Sequence, residues 1–378
     1  MPAIPSANSR RTPGGEAAEP PPPRIALLPA RAKLERLLRV AKNHKKALVL
    51  THDNPDPDSL ASAVALARLL EERAGVEQAR VGYGGIIGRA ENIAFVKVLR
   101  LPVVHISQLN LDDYDLLALV DTQPPTGNHA LPPRYRAEVD IVIDHHPLRD
   151  ESLKAPFADV GGDFGATSTM LVEYLRAARM EPSAEVATGL FYGIKADTRD
   201  LGRETTQTDI DSYLWLFPRA DKQLLGQIEH PELPARYFQL YHTAIERAKV
   251  YGTAIVTDLE EVYTPDMVAE VAERLMFLEG MKWSLAYATY RNQLFISLRV
   301  KDRRMNAGRL IRELCEDYSG SSGGHGSMAG ARIPLSGRAV HRKAFKREVV
   351  RRFLEAFGEK DTRPVALLSA PASPAVSP

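Results

Sequence analysis

The sequence contains a single cysteine, Cys315, among its 378 residues. One thiol cannot form an internal disulfide, and it excludes a zinc site built from several cysteines. No apolar run approaches the roughly 18 residues that a membrane-spanning helix needs. The first residues, MPAIPSANSRRTPGG, also lack the apolar segment of a signal peptide. We therefore expect a cytoplasmic protein that has no membrane partner.

An excess of charge of one sign is also absent, since 49 Lys and Arg residues face 48 Asp and Glu residues, for a formal net charge of +1. This balance argues against a protein that coats long duplex nucleic acid by bulk charge, although it allows a local basic pocket. Hydrophobic residues make up 44% of the chain, which is enough for a sizeable core.

Proline is abundant near both ends of the chain. Eight of the 27 prolines lie in residues 1–30, and such a segment cannot bury enough apolar surface to fold. Residues 359–378 are similarly rich in Ala, Ser and Pro. The composition therefore predicts a disordered tail at each end, over 1–30 and 359–378.

Between the tails, the hydrophobic pattern predicts two α/β domains. Residues 31–215 alternate short apolar runs with helical patterns, which is typical of a mainly parallel sheet. Residues 216–250 have a helical pattern interrupted by prolines, and we interpret them as a connector. Residues 251–358 predict a smaller mixed α/β domain that contains a Gly/Ser loop at 319–326.

Acidic and histidine residues follow apolar runs at four places in the first domain. These residues are His52, Asp56 and Asp58 after ALVLT, Asp121 after DLLALV, Asp144, His145 and His146 after VDIVI, and Asp197 after the apolar run 189–194. We interpret all four runs as strands. Because ligands gather at the carboxyl ends of parallel strands, we expect these side chains to lie close together.

Carboxylates crowded at one edge of a sheet repel each other and raise each other's pKa values. Divalent cations remove that repulsion, and mixed carboxylate and imidazole ligands without thiolate suit Mn²⁺ or a similar ion. Two ions that share a bridging carboxylate, about 3.5–4 Å apart, activate water for attack on a phosphoryl group. Taken alone, each residue has a structural explanation as a turn former, a helix cap or a polar loop residue. Their joint occurrence at four successive places favours a metal centre.

The motifs HDNPDPDSLASA (52–63), LVDT (119–122), IDHHP (143–147) and GIKADT (193–198) resemble, in content and order, those of the DHH phosphoesterase superfamily. The resemblance implies six metal ligands divided between two ions: His52, Asp56 and Asp121 at the first, and Asp58, Asp121, His145 and Asp197 at the second. Asp121 would bridge the two ions.

The same resemblance implies roles for the two remaining residues of the third motif. His146 would lie next to the reacting phosphate and stabilise its negative charge, while Asp144 would orient the cluster. Arg199 and Asp200 depart from the family pattern, which often has Gly at this place. We expect this departure to affect the shape of the pocket rather than metal binding.

The second domain contains the run GGHGSMAG (323–330), which resembles the GGH-x-x-A-A-G signature of the DHH-associated C-terminal domain, with Met328 in place of a small residue. Adjacent glycines such as Gly323 and Gly324 let backbone N–H groups approach an anion closely. His325 would add a donor to a phosphate or a ring that stacks on a base. A flexible connector is the alternative interpretation of this run.

Two further residues of the second domain are candidate substrate ligands. The resemblance places Arg299 on a terminal phosphate of the substrate, a task that suits the bidentate guanidinium. Asn306 matches a family position that carries Asn, and a helix N-cap is its alternative role.

The fold class we predict is α/β, with a parallel-sheet DHH domain followed by a smaller mixed α/β domain and the active site in the cleft between them. The two-domain layout resembles the oligoribonuclease and 3′-phosphoadenosine-5′-phosphate (pAp) phosphatase branch of the superfamily. That resemblance implies a phosphoesterase with two divalent cations, Mn²⁺ or alternatively Mg²⁺, that cuts short oligonucleotides to mononucleotides.

Other functions stay open at this stage. The alternatives are a phosphodiesterase for linear or cyclic dinucleotides used in signalling, and a nucleotide-binding regulator without catalysis. A homodimer is compatible with the same layout.

Overall fold

The computed structural model describes residues 25–302, 305–335 and 339–369. Within these ranges, the side chains of Leu27, His325 and residues 339–342 fall outside the description. Residues 1–24 of the first predicted tail and 370–378 of the second also lie outside the described residues. The chain forms two α/β parts, each built around a sheet of its own.

The first part contains the six strands β1 (Lys46–Leu50), β2 (Gln78–Tyr83), β3 (Val103–His105), β4 (Leu116–Val120), β5 (Ile141–Asp144) and β6 (Phe157–Val160). Neighbouring strands are all parallel, in the order β3-β2-β1-β4-β5-β6. The helices of this part are α1 (Ala30–Ala41), α2 (Pro57–Leu69), α3 (Ala90–Val98), α4 (Thr167–Ala177), α5 (Ala184–Asp197), α6 (Gln207–Leu216) and α7 (Lys222–Glu229). The parallel sheet predicted for the first domain is confirmed.

Both faces of this sheet are buried, as the near-continuous apolar runs of its central strands require. Along β1, Ala47 and Val49 join a core that also contains side chains of α1, α2, α4 and α5. Leu48 and Leu50 point to the opposite face and join a second core. The central strands are thereby fixed between two apolar layers.

The strand order reverses between β1 and β4. Strand β1 pairs with β2 on one side and with β4 on the other, so the connections leave this point in opposite directions. In an open parallel sheet such a switch point opens a crevice outside the carboxyl ends of the strands. The fold therefore provides a binding site where β1 and β4 end.

Helix α5 corrects the strand that we predicted for residues 189–194. This helix begins after Ser183, whose side chain accepts a hydrogen bond from the backbone N–H of Val186. Its buried residues include Ala187, Leu190, Phe191 and Ile194, and this spacing of three or four residues is helical. The run 189–194 covers less than two turns, and periodicity cannot separate so short a buried helix segment from a strand. Strand β6 is likewise not among the strands that we predicted from the sequence.

The second part contains the strands β7 (Lys249–Tyr251), β8 (Ala254–Glu261), β9 (Trp283–Tyr290), β10 (Gln293–Val300), β11 (Ser321–His325), β12 (Met328–Pro334) and β13 (Val365–Ala366). They form one mixed sheet in the order β11-β12-β10-β9-β8-β7-β13, in which only β8 and β9 pair in parallel. Its helices are α8 (Ala235–Arg247), α9 (Asp266–Leu275), α10 (Ala307–Cys315) and α11 (Ala339–Ala356). The separate mixed domain is thus confirmed.

Residues 319–326, which we predicted to be a Gly/Ser loop, instead contribute strand β11 to a hairpin with β12. Glycine is rare inside strands, and there it often marks a close approach of another backbone. Here the approaching backbone is α10, because a Cβ added to Gly308 would lie 2.0 Å from the carbonyl oxygen of Gly324. The glycines therefore let α10 pack directly on the edge strand.

The predicted connector divides between the two parts. Ile228 of α7 belongs to the core of the first part, whereas Leu240 and Ala244 of α8 belong to a core of the second. Residues 359–369, which we assigned to the tail, continue the second part, because β13 pairs with β7. The Glu359 side chain accepts a hydrogen bond from the backbone N–H of Thr253.

Among the described residues, none of the helices could serve as a membrane span.

Candidate metal centre and active site

The candidate ligands lie at the switch point of the first sheet. Within the described residues, three groups of His and Asp side chains have ligand atoms within 4.8 Å of one another, and all three groups are here: His52, Asp56 and Asp121; Asp58, His145 and Asp197; Asp121, His145 and His146. The structure thus brings together all six residues that we predicted as metal ligands, along with His146.

The first group lies between the end of β1 and the start of α2. His52 Nε2 is 3.8 Å from Asp56 Oδ1 and 3.4 Å from Asp121 Oδ2. Asp56 is also the N-cap of α2, because its Oδ1 accepts a hydrogen bond from the backbone N–H of Ser59 at 2.9 Å. The helix-cap interpretation of Asp56 is therefore confirmed, and the cap also holds the carboxylate beside His52.

The second group joins three separate elements around His145. Its Nε2 is 3.2 Å from Asp197 Oδ2, at the end of α5. Asp58 lies in the first turn of α2, and its two carboxylate oxygens accept hydrogen bonds from the backbone N–H groups of Thr167 at 2.8 Å and Ser168 at 2.7 Å. Helix α4 begins at Thr167, so Asp58 binds the N–H groups at the N-terminus of this helix.

Asp121 connects the two groups. Its Oδ2 faces His52 at 3.4 Å, and its Oδ1 faces His145 at 3.7 Å. The Thr167 hydroxyl donates a hydrogen bond to Oδ1 at 2.7 Å, which fixes the orientation of the carboxylate. A carboxylate that presents one oxygen to each of two ligand groups has the geometry of a bridging ligand.

Crowding shifts the pKa values of these groups. Burial raises the pKa of Asp58 well above its usual range, and the charges of Asp121 and Asp197 raise it further. Burial alone would lower the pKa of His145, but contact with Asp197 and the charges of Asp121 and Asp58 raise it to about 11. The carboxylates thus create a strongly negative site that favours bound positive charge.

The histidine ring nitrogens fit a metal. His52 Nδ1 lies 3.0 Å from the backbone oxygen of Asp53, and His145 Nδ1 lies 3.3 Å from that of Phe164. Hydrogen bonds from Nδ1–H to carbonyl groups leave Nε2 as the ligand atom, which is the usual arrangement of metal-binding histidines. Nε2 of His145 is buried without a hydrogen-bond partner, although it faces two carboxylates. The donor set therefore suits divalent cations such as Mn²⁺ or Mg²⁺.

His146 contacts Asp144, which is outside the six candidate ligands, as well as Asp121. Its Nδ1 lies 2.8 Å from Asp144 Oδ1 and 3.7 Å from Asp121 Oδ1. Burial alone would lower the pKa of His146, but its hydrogen bond with Asp144 raises the pKa above the ordinary value. The side chain of His146 is 41% exposed.

Gln123, which we did not predict from the sequence, holds Asp144 in place. Gln123 Nε2 donates hydrogen bonds to Asp144 Oδ2 at 2.8 Å and to the backbone oxygen of Pro147 at 3.1 Å. Its Oε1 accepts hydrogen bonds from the backbone N–H of Arg149 and from the Ser152 hydroxyl. All polar atoms of this buried amide are thus bonded. No motif identifies Gln123 in the sequence. Its position two residues after Asp121 is the one feature that could have indicated its role.

In the second part, Arg299 lies on β10 opposite Met328 of β12. Arg299 is 9% exposed, and its Nη1 donates a hydrogen bond to Ser297 Oγ at 2.8 Å. Met328 Sδ is 4.0 Å from Nη2 of Arg199, which follows Asp197 by two residues. The hairpin of β11 and β12 therefore contacts the segment that follows Asp197.

The other substrate residues that we predicted have mixed outcomes. Asn306 is the N-cap of α10, because its side chain accepts a hydrogen bond from the backbone N–H of Arg309 at 3.0 Å, as the alternative interpretation proposed. Gly323 and Gly324 lie in β11, where an added Cβ on Gly323 would meet no atom within 4 Å. The side chain of His325 is outside the described part of the structure.

Family models match both domains. A model described as the DHH family, N-terminal domain, matches residues 46–194, and a model described as the DHHA1 domain matches residues 251–370. Uncharacterized protein MJ1633 of Methanocaldococcus jannaschii is 34% identical over 333 residues, which cover 86% of this chain and 67% of that protein. The cyclic-di-AMP phosphodiesterase GdpP of Geobacillus thermodenitrificans is 26% identical over 265 residues, 67% of this chain but only 40% of that protein.

Solved structures have the same fold at low sequence identity. An exopolyphosphatase-related protein from Bacteroides fragilis has a TM-score of 0.68 at 15% identity, covering 87% of this chain and 98% of its own. Exonuclease RecJ bound to manganese has a TM-score of 0.50 at 17% identity, covering 91% of this chain and 98% of its own. At these identities the likeness establishes the fold alone.

Proposed function

The chain belongs to the DHH family and carries a C-terminal DHHA1 domain, and from this premise we propose that it is a two-metal phosphoesterase acting on short oligonucleotides. It would hydrolyse phosphodiester bonds of substrates a few nucleotides long, and the phosphomonoester of pAp as a further substrate. The observation that carries this proposal is the carboxylate of Asp121, whose two oxygens face two separate groups of ligands.

In this proposal the ligands divide as the resemblance implies. His52, Asp56 and Asp121 hold one divalent cation, and Asp58, Asp121, His145 and Asp197 hold the other. When bound, two such ions act as Lewis acids toward the phosphoryl group and lower the pKa of water. Mn²⁺ is the ion that we propose, because carboxylate and imidazole ligands suit it.

The remaining residues of the centre position the reacting phosphate. His146 donates a hydrogen bond to a phosphate oxygen, while its Nδ1–H stays bonded to Asp144. Gln123 keeps Asp144 from rotating, since it donates to the other carboxylate oxygen. A donor held in advance where negative charge develops stabilises the transition state without reorganisation.

The second domain would bind the substrate away from the scissile bond. The guanidinium of Arg299 and the backbone N–H groups of Gly323 and Gly324 suit a phosphate that carries two negative charges. A substrate of two to five nucleotides offers few phosphates, so it needs no long basic surface. The net charge of +1 is compatible with such a substrate.

A dinucleotide phosphodiesterase is a second candidate function. The observation that favours it is the similarity to GdpP, a cyclic-di-AMP phosphodiesterase, over 67% of this chain. A linear dinucleotide such as pGpG is itself a short oligonucleotide, and a cyclic dinucleotide contains two phosphodiester bonds of the kind that this centre would hydrolyse. A regulator that binds nucleotides without catalysis is disfavoured, because every ligand position of the proposed centre is filled by a suitable side chain.

One set of assays separates these functions. The purified chain is incubated with Mn²⁺ and end-labelled oligonucleotides of two to twenty nucleotides, and in parallel with pAp, pGpG and cyclic di-AMP. We expect products from the shortest oligonucleotides first. Faster turnover of cyclic di-AMP or pGpG would favour the second candidate. Binding of all these compounds without any hydrolysis would exclude both enzymatic functions.

A further inference from the structure

Two arginines of the first domain contact one glutamate of the second. Arg89 Nη2 lies 3.4 Å from Oε2 of Glu273 on α9, and Arg199 Nη2 lies 3.6 Å from Oε1 of the same carboxylate. The three side chains are between 32% and 52% exposed. Ion pairs with this exposure contribute little to stability and exchange partners readily. The Glu273 carboxylate is therefore a displaceable counter-ion rather than a permanent link.

Arg199 lies beside the residues that face the substrate. Its Nη2 is 4.0 Å from Met328 Sδ, and Met328 pairs with Arg299 on one side and with His325 on the other. The backbone of Arg199 has a φ of 50°, and the next two residues are also left-handed. Arg203 closes this turn, because it donates a hydrogen bond to the backbone oxygen of Asp197 at 3.0 Å. The turn thus ties Arg199 to a proposed metal ligand.

The acidic side chains at this place are concentrated around Arg89. Arg299 is buried, and its Nε has no hydrogen-bond partner. Burial lowers the pKa of Arg299 to about 10, Glu273 opposes that effect, and the charges of Arg89 and Arg199 add to it. Arg89 is also close to Asp266 and Glu270 of α9. Arg199 and Arg299 are therefore the two guanidinium groups with the least compensation.

We propose that Arg199 and Arg299 together bind a terminal phosphate of the substrate, and that this phosphate displaces Glu273 from Arg199. Glu273 keeps its contact with Arg89 and so stays near the site without blocking it. The substrate class that follows is a short oligonucleotide that ends in a phosphomonoester, in preference to the same oligonucleotide that ends in a hydroxyl. This inference rests on the proposed function, and it adds a first-domain residue that departs from the family pattern.

The test compares three dinucleotides with Mn²⁺ present: ApA, its 5′-phosphorylated form pApA and its 3′-phosphorylated form ApAp. The wild-type protein should prefer one phosphorylated form by kcat/KM, and the arm that responds identifies the end that is bound. In Arg199→Gly this preference should fall roughly tenfold or more, since a hydrogen bond to a charged group is lost. The loss should appear mainly in KM. Glycine accepts the left-handed backbone without strain, so the turn is retained.

Arg179→Gly is the matched control. Arg179 is also left-handed, with a φ of 49°, and it is exposed just beyond α4. Because α4 starts at the metal centre and is 11 residues long, Arg179 lies about 16 Å away. This control should keep the wild-type preference.

Glu273→Gln tests the displacement. Without the competing carboxylate, the preference for the phosphorylated dinucleotide should increase. An unchanged or smaller preference in Glu273→Gln would overturn the displacement, and an unchanged preference in Arg199→Gly would overturn the phosphate site. If the wild-type protein hydrolyses none of the dinucleotides, the proposed function fails. That outcome differs from the two variant outcomes, which test only the phosphate site and the displacement.

Discussion

At the scale of single residues, the backbone conformation of Asp121 directs its carboxylate into the candidate metal centre. It directly follows β4 with a φ of 59°, in a region that non-glycine residues rarely adopt and that Asn and Asp tolerate best. Its own N–H still donates to the backbone oxygen of Ile143 on the neighbouring strand. The turn points the carboxylate toward both ligand groups while the chain remains anchored to the sheet.

The substitution Asp121→Asn tests the bridging role. Asparagine keeps the shape and tolerates the left-handed backbone, but its neutral amide cannot neutralise two cations. We expect loss of nearly all Mn²⁺-dependent hydrolysis and loss of tightly bound Mn²⁺, measured by kinetics and by metal analysis after dialysis. Asp163→Asn, at an exposed position, should behave as wild type. Retention of about a tenth of the activity by Asp121→Asn would contradict the assignment.

Gln123 acts on the reaction through Asp144, and Gln123→Glu isolates that effect. The new carboxylate still accepts from Arg149 and Ser152, but it faces Asp144 with like charge and without a donor. We expect kcat to fall roughly 10- to 100-fold, as is typical for groups that orient a metal centre, with a smaller change in KM. The kcat–pH profile should shift as well, because the second carboxylate raises the pKa values of the Asp144–His146 pair.

The control for this prediction is Gln207→Glu. Gln207 also donates to an aspartate, at 2.8 Å from Asp211, but on an exposed helix surface. It should leave kcat and the pH profile unchanged. If Gln123→Glu has the same pH profile as wild type, Gln123 is a structural residue only.

The residue scale also shows what the sequence could and could not predict about the site. The four motifs contain all six candidate ligands. These could be found because His and Asp that follow apolar runs are recognisable in a single sequence. Gln123 and Glu273 could not be found this way. A buried amide and a surface carboxylate are common residues, and their roles depend on contacts with residues 21 and 74 positions away in the chain.

At the scale of elements, α4 contributes to the centre through its N-terminus. The helix has no side-chain cap of its own, and the N–H groups of Thr167 and Ser168 bind the Asp58 carboxylate instead. The positive end of the helix therefore stabilises a buried anion. This contact could not be predicted from the sequence, because Asp58 is more than 100 residues away in the chain.

The hairpin of β11 and β12 depends on contact between glycines. A Cβ on Gly308 would lie 2.0 Å from the carbonyl oxygen of Gly324, so Gly308→Ala must push α10 away from β11. Overpacking of this kind costs about 1–3 kcal/mol. We expect a lower midpoint of thermal unfolding for the second domain and a higher KM, because the glycine run moves. Gly226→Ala in α7, where an added Cβ meets no atom within 4 Å, should not lower stability, and equal losses in both variants would contradict this explanation.

The glycines of β11 also show why the predicted type of an element can be wrong even where the predicted fold class of its domain is right. Alternating apolar patterns predicted the two sheets because burial of one or both faces determines those patterns. Strand β11 has the sequence SSGGH, which has no hydrophobic period and low β-propensity. It is a strand because β12 and α10 lie against it, and such tertiary contacts leave no trace in local sequence.

At the scale of the whole molecule, the two domains have separate hydrophobic cores. The core of the first domain contains residues from Leu34 to Ile228, whereas the cores on the two faces of the second sheet contain residues from Leu240 onward. The metal centre draws its six proposed ligands only from the first domain. Metal binding and domain stability are therefore linked in one half of the molecule.

This separation leads to a prediction about thermal unfolding. A cation that binds the folded first domain at a hundred times its Kd stabilises it by about 2.7 kcal/mol. For a domain of this size, that corresponds to a rise of roughly 5–10 °C in the unfolding midpoint. Calorimetry of the full chain should show two transitions, and Mn²⁺ added after treatment with EDTA should raise only one of them.

The variants identify which transition belongs to which domain. In Asp121→Asn the Mn²⁺-dependent shift should disappear while both transitions remain. In Gly308→Ala the transition that does not respond to Mn²⁺ should fall. A shift of equal size in both transitions with Mn²⁺ would mean that the ions bind across the cleft, because only ligands from both domains can couple both cores to the metal. That result would contradict the proposal that the first domain alone binds the ions and that both domains bind the substrate phosphate.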